Sequence, residues 1–155
     1  MIFKSIVRPK LEYAASVWDP GQSLLTQALE AVQNRAARFI YSNYHRTASV
    51  SSMKTNLHLP DLTVRRLIAR LCLFHKIFYH NITLRSNYIQ LPTYLSARLD
   101  HRQKVAISNY STKCFADSFF PRTSIDWNHL PGSITSISSI SEFRKAVADY
   151  FHDPL

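Results

Sequence analysis

The stretch DLTVRRLIARLCLFHKIFYH, residues 61–80, decides the fold class of this chain. On a helical wheel with about 100° per residue, its apolar side chains fill one arc and its basic side chains fill the other. The apolar arc contains Val64, Leu67, Ile68, Leu71, Phe74 and Phe78. The basic arc contains Arg65, Arg66, Arg70, Lys76 and His80. The pattern predicts one long amphipathic helix, whose basic face suits either contact with phosphates or simple solvation.

Further helices are predicted on the amino-terminal side of this stretch. In residues 24–42, apolar positions recur at alternating spacings of four and three, so they lie on one face of a helix capped by Ser23. These positions are Leu25, Leu29, Val32, Ala36 and Phe39. Residues 47–59 predict a short helix, and residues 1–20 predict helical segments that are interrupted at Pro9.

The signals on the carboxyl-terminal side are weaker. Residues 82–112 lack a sustained period, which predicts a long irregular connection with one short strand at residues 104–107. A capping box at residues 139–142 predicts a final helix. Phe143 and Val147 lie on the predicted buried face of that helix.

Large aromatic residues stand between two prolines in the stretch SFFPRTSIDWNHLP, residues 118–131. Each proline lacks a donor N–H and pushes the preceding residue toward extended geometry, so Phe120 and Leu130 are predicted to be non-helical. The span is predicted to form a compact irregular knot that tertiary packing holds in place. Large aromatic side chains bury about 150–250 Å² each, which makes them suitable anchors. The predicted anchors of the fold are Trp18, Phe119, Phe120 and Trp127.

The composition indicates one mainly α domain. The chain has 155 residues, of which 46% are hydrophobic, so it is long enough to bury a core and too apolar to be disordered. Two glycines and seven prolines predict rigid turns. The predicted fold is a small helical bundle, with a helical region at residues 1–81 and an irregular connection at residues 82–112. In residues 113–155, the aromatic knot precedes a carboxyl-terminal helix that packs on the same core.

The charge balance favours a polyanionic partner. Nineteen lysines and arginines against ten acidic residues give a formal charge of +9, which suits RNA or DNA. The predicted phosphate contacts are Arg35, Arg38, Arg65, Arg66, Arg70 and Lys76. Tyr41, Tyr44 and Tyr79 are candidates for stacking on bases, although burial in the core is the commoner role of tyrosine.

Patterns typical of metal, cofactor or catalytic sites are missing from the sequence. Cys72 and Cys114 have no C-x-x-C spacing, and the seven histidines form no H-x-x-x-H pair, so no metal site and no cofactor are predicted. Neither a secretory signal nor an apolar run of about 20 residues is present. These features predict an intracellular protein, cytoplasmic or nuclear, with no membrane role.

Four stretches resemble the LINE-type (non-LTR, jockey-like) retrotransposon polyproteins. SFFPRTSIDWNHLP at 118–131 is similar to the signature near the carboxyl end of these proteins, downstream of their reverse transcriptase core. FKSIVRPKLEYAASVWDP at 3–20 resembles the segment just after the polymerase palm. LEAVQNRAARFI at 29–40 and RRLIARLCLFHKI at 65–77 resemble the two basic helices that follow. The four stretches occur in the family's order and span almost the whole chain.

The resemblance implies a carboxyl-terminal fragment of an RNA-directed DNA polymerase with endonuclease, in which residues 1–81 include a thumb-like region. Such a fragment lacks the catalytic palm and binds template RNA, element RNA or target DNA for the rest of the polyprotein. The stretch FADS at 115–118 differs from the FADD box of reverse transcriptases, because Ser118 replaces the second metal-holding carboxylate. A non-catalytic binding fragment is therefore expected. The alternative is a small helical protein-interaction module with no nucleic-acid role, whose exposed aromatics dock a partner.

Overall fold

The computed structural model describes residues 2–95 and 101–151, and this part of the chain is helical with no strand. The amino-terminal elements are a π-helical segment Phe3–Val7, α1 (Arg8–Glu12) and α2 (Ala15–Trp18). The next are α3 (Ser23–Ile40), α4 (Val50–Asn56), α5 (Leu62–His80) and α6 (Ile82–Tyr88). The last are α7 (Lys113–Ala116), α8 (Phe119–His129), α9 (Gly132–Thr135) and α10 (Ile140–Tyr150). The predicted mainly α fold, a small helical bundle, is confirmed.

Helix α5 is the centre of the bundle, and its predicted extent is confirmed. It packs against α2, α3, α6, α8 and α10. The ring of Trp127, from α8, lies 5.2 Å from that of Phe74 and 5.3 Å from that of Phe78, measured between centroids. Phe143 and Val147 of α10 are buried against the same cluster, as predicted. The core therefore forms where α5, α8 and α10 meet.

The stretch predicted to be an irregular knot is a helix, α8. Pro121 is the third residue of α8, and in the first turn the backbone N–H groups have no acceptor within the helix. The missing donor of Pro121 therefore does not disturb the helix, and the prediction that Phe120 is non-helical is wrong. Leu130, with ψ of 146°, is extended as predicted and ends the helix. Trp127 is a fully buried anchor, whereas Phe119 and Phe120 are half-buried at the edge of the core.

The irregular connection predicted at residues 82–112 starts later than expected, and its residues 96–100 lie outside the described part of the chain. Its first residues form α6, which Asn81 caps: the side-chain oxygen of Asn81 accepts the N–H of Leu84 at 3.0 Å. The helix was missed because most of its side chains are exposed, so it has no apolar period. The strand predicted at residues 104–107 is absent, since Val105 pairs with the side chain of Asn128 in both directions, at 3.0 and 2.8 Å, rather than with a second strand.

The short helices α4 and α10 lie where the sequence predicts them, but their caps differ. Ser49 caps α4 through its hydroxyl, which accepts the N–H of Ser52 at 3.3 Å. The capping box predicted for α10 is not formed, and the hydroxyl of Ser139 lies 3.1 Å from that of Ser141 instead. Ser23 is the first residue of α3 rather than its cap.

Helix α3 turns a different face inward from the predicted one. Its buried residues are Gln33 and Ala37, whereas Leu25 is exposed and Phe39 is 73% exposed. Gln33 donates from Nε2 to the carbonyl oxygen of Pro60 at 2.9 Å. The predicted apolar positions share one face of α3, but that face is not the buried one, because polar contacts to the start of α5 decide the orientation of α3.

Glu30 is the centre of these polar contacts. Its Oε2 accepts the N–H of Leu62 at 2.9 Å, and its Oε1 accepts a bond from Lys54 Nζ at 2.7 Å. Burial lowers the pKa of Lys54, but the bonds to Asp61 and Glu30 outweigh it and hold that pKa above its ordinary value. Lys54 therefore stays cationic and joins α3, α4 and the amino-terminal end of α5.

His75 fixes the segment between α9 and α10. Its Nε2–H donates to the carbonyl oxygen of Ile137 at 2.7 Å, and its ring stacks on Phe143 at 4.1 Å. The hydroxyl of Tyr79 donates to the carbonyl oxygen of Thr135 at 2.6 Å, so this tyrosine is a structural residue rather than the predicted base-stacking one. Burial lowers the pKa of His75; the bond to Ile137 opposes this effect, and the nearby His80 adds to it.

The stability of the fold is expected to fall as the pH drops below about 6.5, the ordinary pKa of histidine. In that window the unfolded chain binds a proton at His75 and the folded chain does not, so the free energy of unfolding decreases by about 1 kcal/mol per pH unit from this group. Urea denaturation between neutral and mildly acid pH measures the slope. His75→Gln is expected to flatten this slope, and an unchanged slope for that variant would contradict the assignment.

Candidate nucleic-acid interface

Two of the six predicted phosphate contacts lie inside the protein. Arg66 and Arg70 are only 1% and 3% exposed, so the prediction that they lie on an open basic face is wrong. Both guanidinium groups face Asp19, which follows α2 and is itself buried. In this structure neither arginine can reach a phosphate.

A buried cluster of three arginines and two aspartates joins α2, α5 and α8. The Asp19 carboxylate lies 2.9 Å from Arg70 Nε, 3.2 Å from Arg122 Nη1 and 3.6 Å from Arg66 Nη1. Asp126 Oδ2 lies 2.8 Å from Arg70 Nη2. Burial, followed by the charge of Arg122, lowers the pKa of Arg70, but arginine remains protonated in proteins. The cluster therefore has a structural role, since Asp19 holds three cations from two helices.

Trp18 lies beside this cluster rather than in the core. It is 44% exposed, so this predicted anchor of the fold packs on the ion pairs and not in the apolar core. Its ring covers the guanidinium of Arg66 at 4.5 Å from the ring centroid, and its Nε1 donates to the carbonyl oxygen of Tyr13. Trp18 therefore shields an ion pair from water instead of filling the apolar core.

The other four predicted contacts remain accessible but lie on two different helices. Arg35 is exposed on α3, and Arg38 donates from Nη1 to the carbonyl oxygen of His45 at 3.1 Å. Arg65 is partly exposed, and Lys76 is exposed eleven residues later on α5. Eleven residues are close to three helical turns, so Arg65 and Lys76 share one face of α5.

That face of α5 borders a large open cleft, which we call the cationic cleft. Its volume is about 1050 Å³. Its cationic lining is Lys4 and Arg8 from the amino-terminal segment, Arg65 from α5 and Arg144 from α10. His58 and His80 also line it. Lys4 and Arg8 are four residues apart on continuous helical backbone, which places both on the same side.

Glu12 is the acidic residue that orders this site. Its carboxylate accepts bonds from Arg8 Nε at 3.1 Å and from Arg65 Nη2 at 3.2 Å. Burial raises the pKa of Glu12, but the hydrogen bonds and charges of Arg65 and Arg8 outweigh burial and hold that pKa below its ordinary value. Among the described residues, Lys4 and Arg144 form no ion pair. The cleft therefore retains a net positive charge after Glu12 is counted.

The lining of the cleft suits phosphate groups better than bases. Cations donate charge-assisted hydrogen bonds to phosphate oxygens, whereas sequence-tolerant binding of single strands uses aromatic side chains on which bases stack. Within the described part of the chain, no aromatic ring other than the two histidines lines the cleft. Tyr41 and Tyr44 are exposed at the end of α3 and are not part of its lining.

Sequence reasoning missed Lys4, Arg8 and Arg144. A signal existed for the first two, since their spacing of four residues in a predicted helical segment places them on one face. Arg144 follows Phe143, which the capping box and apolar period already oriented toward the core, so its exposure was foreseeable. The convergence of Lys4, Arg8 and Arg144 with Arg65 could not be foreseen, because it depends on how three separate segments pack.

Among the described residues, no helix combines the length and the apolar character needed to cross a bilayer.

Comparisons with known proteins add no further identification. The chain has no significant match to a family model, to a curated protein or to a solved structure.

Proposed function

We propose that this chain binds the phosphate backbone of RNA or DNA through the cationic cleft. The observation that carries the proposal is the convergence of Lys4, Arg8, Arg65 and Arg144 from three separate parts of the chain. Neutralising phosphates releases condensed counterions, which favours binding without regard to sequence. The formal charge of +9 on the whole chain adds long-range attraction for a polyanion.

The resemblance to LINE-type retrotransposon polyproteins supplies the biological setting of this proposal. In that setting the chain is a non-catalytic carboxyl-terminal fragment of a transposable-element reverse transcriptase, which contributes template, primer or element-RNA binding inside the cell. The rest of the polyprotein is its proposed partner. Ser118, in place of the second carboxylate of the FADD box, supports a binding role rather than polymerisation.

The proposed contact set differs from the one predicted from sequence. Lys4, Arg8 and Arg144 enter it, and Arg65 remains because it lines the cleft. Lys76 shares a face of α5 with Arg65 but does not line the cleft, so it leaves the set. Arg66 and Arg70 leave it because they are buried with Asp19. Arg35 and Arg38 lie on α3 and do not line the cleft.

Reversing two charges of the cleft tests this function. The double variant Lys4→Glu/Arg144→Glu is expected to bind a labelled mixed-sequence RNA or DNA about tenfold or more weakly at low salt, since two phosphate contacts become repulsive. Fluorescence anisotropy measures the affinity, and circular dichroism checks that helicity is unchanged. Lys145→Glu is the control, because Lys145 is exposed on the same helix as Arg144 but does not line the cleft. Equal affinities for the double variant and the control would remove the cleft from the binding surface.

A second candidate function is a helical protein-interaction module. The observation that favours it is the exposed apolar face of α3, which includes Leu25 and Phe39. Apolar docking does not weaken with salt as counterion release does, so salt dependence separates the two functions.

A further inference from the structure

The outer face of α3 carries two apolar hollows in succession. One, of about 650 Å³, lies between α3 and the amino-terminal segment and is lined by Ile2, Phe3, Val7, Ala36 and Phe39, among others. The other, of about 400 Å³, is lined by Trp18, Pro20, Leu25, Ala28 and Leu29. The α3 residues of both hollows fall within one arc of the helix, because they recur at spacings of three and four. We refer to the two hollows together as the α3 groove.

The groove exposes more large apolar side chains than isolated surface residues would. Phe39 is 73% exposed and Ile2 is 74% exposed, and Leu25 and Ile40 are also exposed along the same face. Contiguous apolar patches of this kind mark interaction sites, whereas apolar residues scattered singly do not. From Leu25 to Phe39 the groove extends over fourteen residues, roughly 21 Å at the rise of an α-helix.

The charge around the groove is positive. Arg35 lines the larger hollow, and among the described residues it is the one charged side chain in the lining of either hollow. The acidic residue of α3, Glu30, points away from the groove and binds Lys54 and the N–H of Leu62. The groove therefore offers a long apolar strip with a cationic side chain and no acidic side chain in its described lining.

We propose that the α3 groove binds an amphipathic helix of a partner protein whose apolar face is flanked by acidic side chains. A helix of about four turns matches the length of the strip and places residues at i, i+3, i+4 and i+7 into the two hollows. The acidic flank complements Arg35 and the overall positive charge of the chain. A second copy of this chain is disfavoured as the occupant, because it carries the same charge of +9.

This proposal does not rest on nucleic-acid binding, since the groove and the cationic cleft have different linings. Phe3 and Val7 line the groove, whereas Lys4 and Arg8 line the cleft, so the amino-terminal segment separates the two surfaces. Each surface can therefore be altered without the other.

The test uses a labelled synthetic peptide of about 18 residues, with leucines at helical spacing and glutamates at the other positions. This acidic peptide is expected to bind the full chain at least about tenfold more tightly than the same peptide with lysines in place of the glutamates. Fluorescence anisotropy measures both affinities. Phe39→Ser is expected to weaken binding about tenfold or more, because it removes a large apolar contact from an exposed site. Arg35→Glu is expected to reduce the preference for the acidic peptide.

Two controls separate this site from the rest of the surface. Ile82→Ser changes an exposed apolar residue on α6, outside the groove, and is expected to leave the affinity unchanged. Arg144→Glu is expected to weaken peptide binding no more than Lys145→Glu, which makes the same change of charge outside both surfaces. A larger loss for Arg144→Glu would place the peptide in the cationic cleft and overturn the proposal. Equal binding of the two peptides, equal affinity for Phe39→Ser and the parent, or sedimentation as a dimer that Phe39→Ser dissolves would overturn it as well.

Discussion

Replacing Asp19 with asparagine is expected to lower the free energy of unfolding by about 3–5 kcal/mol. Asp19 is buried, and three guanidinium groups lie within 4 Å of its carboxylate. Removing one partner of a buried ion pair leaves an uncompensated charge away from water. Among the described residues, Arg70 would keep Asp126, whereas the ion pairs of Arg66 and Arg122 with Asp19 would be lost. Urea denaturation followed by circular dichroism measures the change.

The same substitution at an exposed aspartate is the control for this result. Asp149→Asn, near the end of α10, is expected to change stability by less than about 0.5 kcal/mol. If Asp19→Asn were as mild as Asp149→Asn, the buried cluster would not join α2 to α5 and α8 in the way described. Simultaneous replacement of the arginines by apolar residues is expected to recover much of the loss, because the isolated charges are then removed as well.

Trp127→Ala is expected to destabilise the protein by about 3–5 kcal/mol, since truncating a buried tryptophan leaves a large cavity. The Trp127 ring is fully buried among Phe74, Phe78 and Phe143, and its Nε1 donates to the carbonyl oxygen of Gln103 at 2.8 Å. The variant therefore loses apolar contacts with α5 and α10 and leaves the carbonyl oxygen of Gln103 without its donor. Thermal or urea unfolding measures the effect.

Trp18→Ala provides the matched comparison, because the same side chain is truncated at a partly exposed site. Its main contact is the ring face over Arg66, and such contacts contribute about 0.5–2 kcal/mol. The destabilisation by Trp18→Ala is expected to be clearly smaller than that by Trp127→Ala. Similar losses for the two variants would show that Trp127 is not the main anchor of the core where α5, α8 and α10 meet.

Periodicity predicted the helices whose buried face is apolar. Helix α5 was foreseen because its apolar side chains repeat over five turns and most of them are buried. Helix α6 was not foreseen, because its side chains are largely exposed and only the Asn81 cap marks its start. The prediction for α8 failed for another reason. Proline breaks a helix in its interior but is tolerated in the first turn, where Pro121 lies, and the sequence alone did not show where that first turn begins.

The orientation of α3 shows the limit of the helical period. The period located the helix correctly, but Gln33 and Glu30 turn inward because they bind the backbone at the start of α5. The hydrogen bonds of buried polar groups here outweigh the burial of part of an apolar face. The orientation of α3 therefore depends on the carbonyl oxygen of Pro60, which is 27 residues from Gln33 along the chain. A local sequence pattern cannot show such a contact.

The candidate site was only partly predictable for the same reason. A positive charge and basic helices were evident from sequence, and Arg65 and Lys76 lie on the face that borders the cleft. Arg66 and Arg70 look equivalent to them in sequence, but acidic partners distant along the chain bury them, such as Asp126, which lies 56 residues from Arg70. Long-range ion pairing therefore decides which cations remain available.

The salt dependence of nucleic-acid binding tests the central claim most directly. Each neutralised phosphate contributes a slope of about −0.7 to −0.9 to the plot of log affinity against log salt, so the four cations of the cleft are expected to give a slope of about −3. Arg144→Glu is expected to reduce its magnitude by about one. A flat profile for the parent chain, or a slope that Arg144→Glu leaves unchanged, would contradict binding through the cationic cleft.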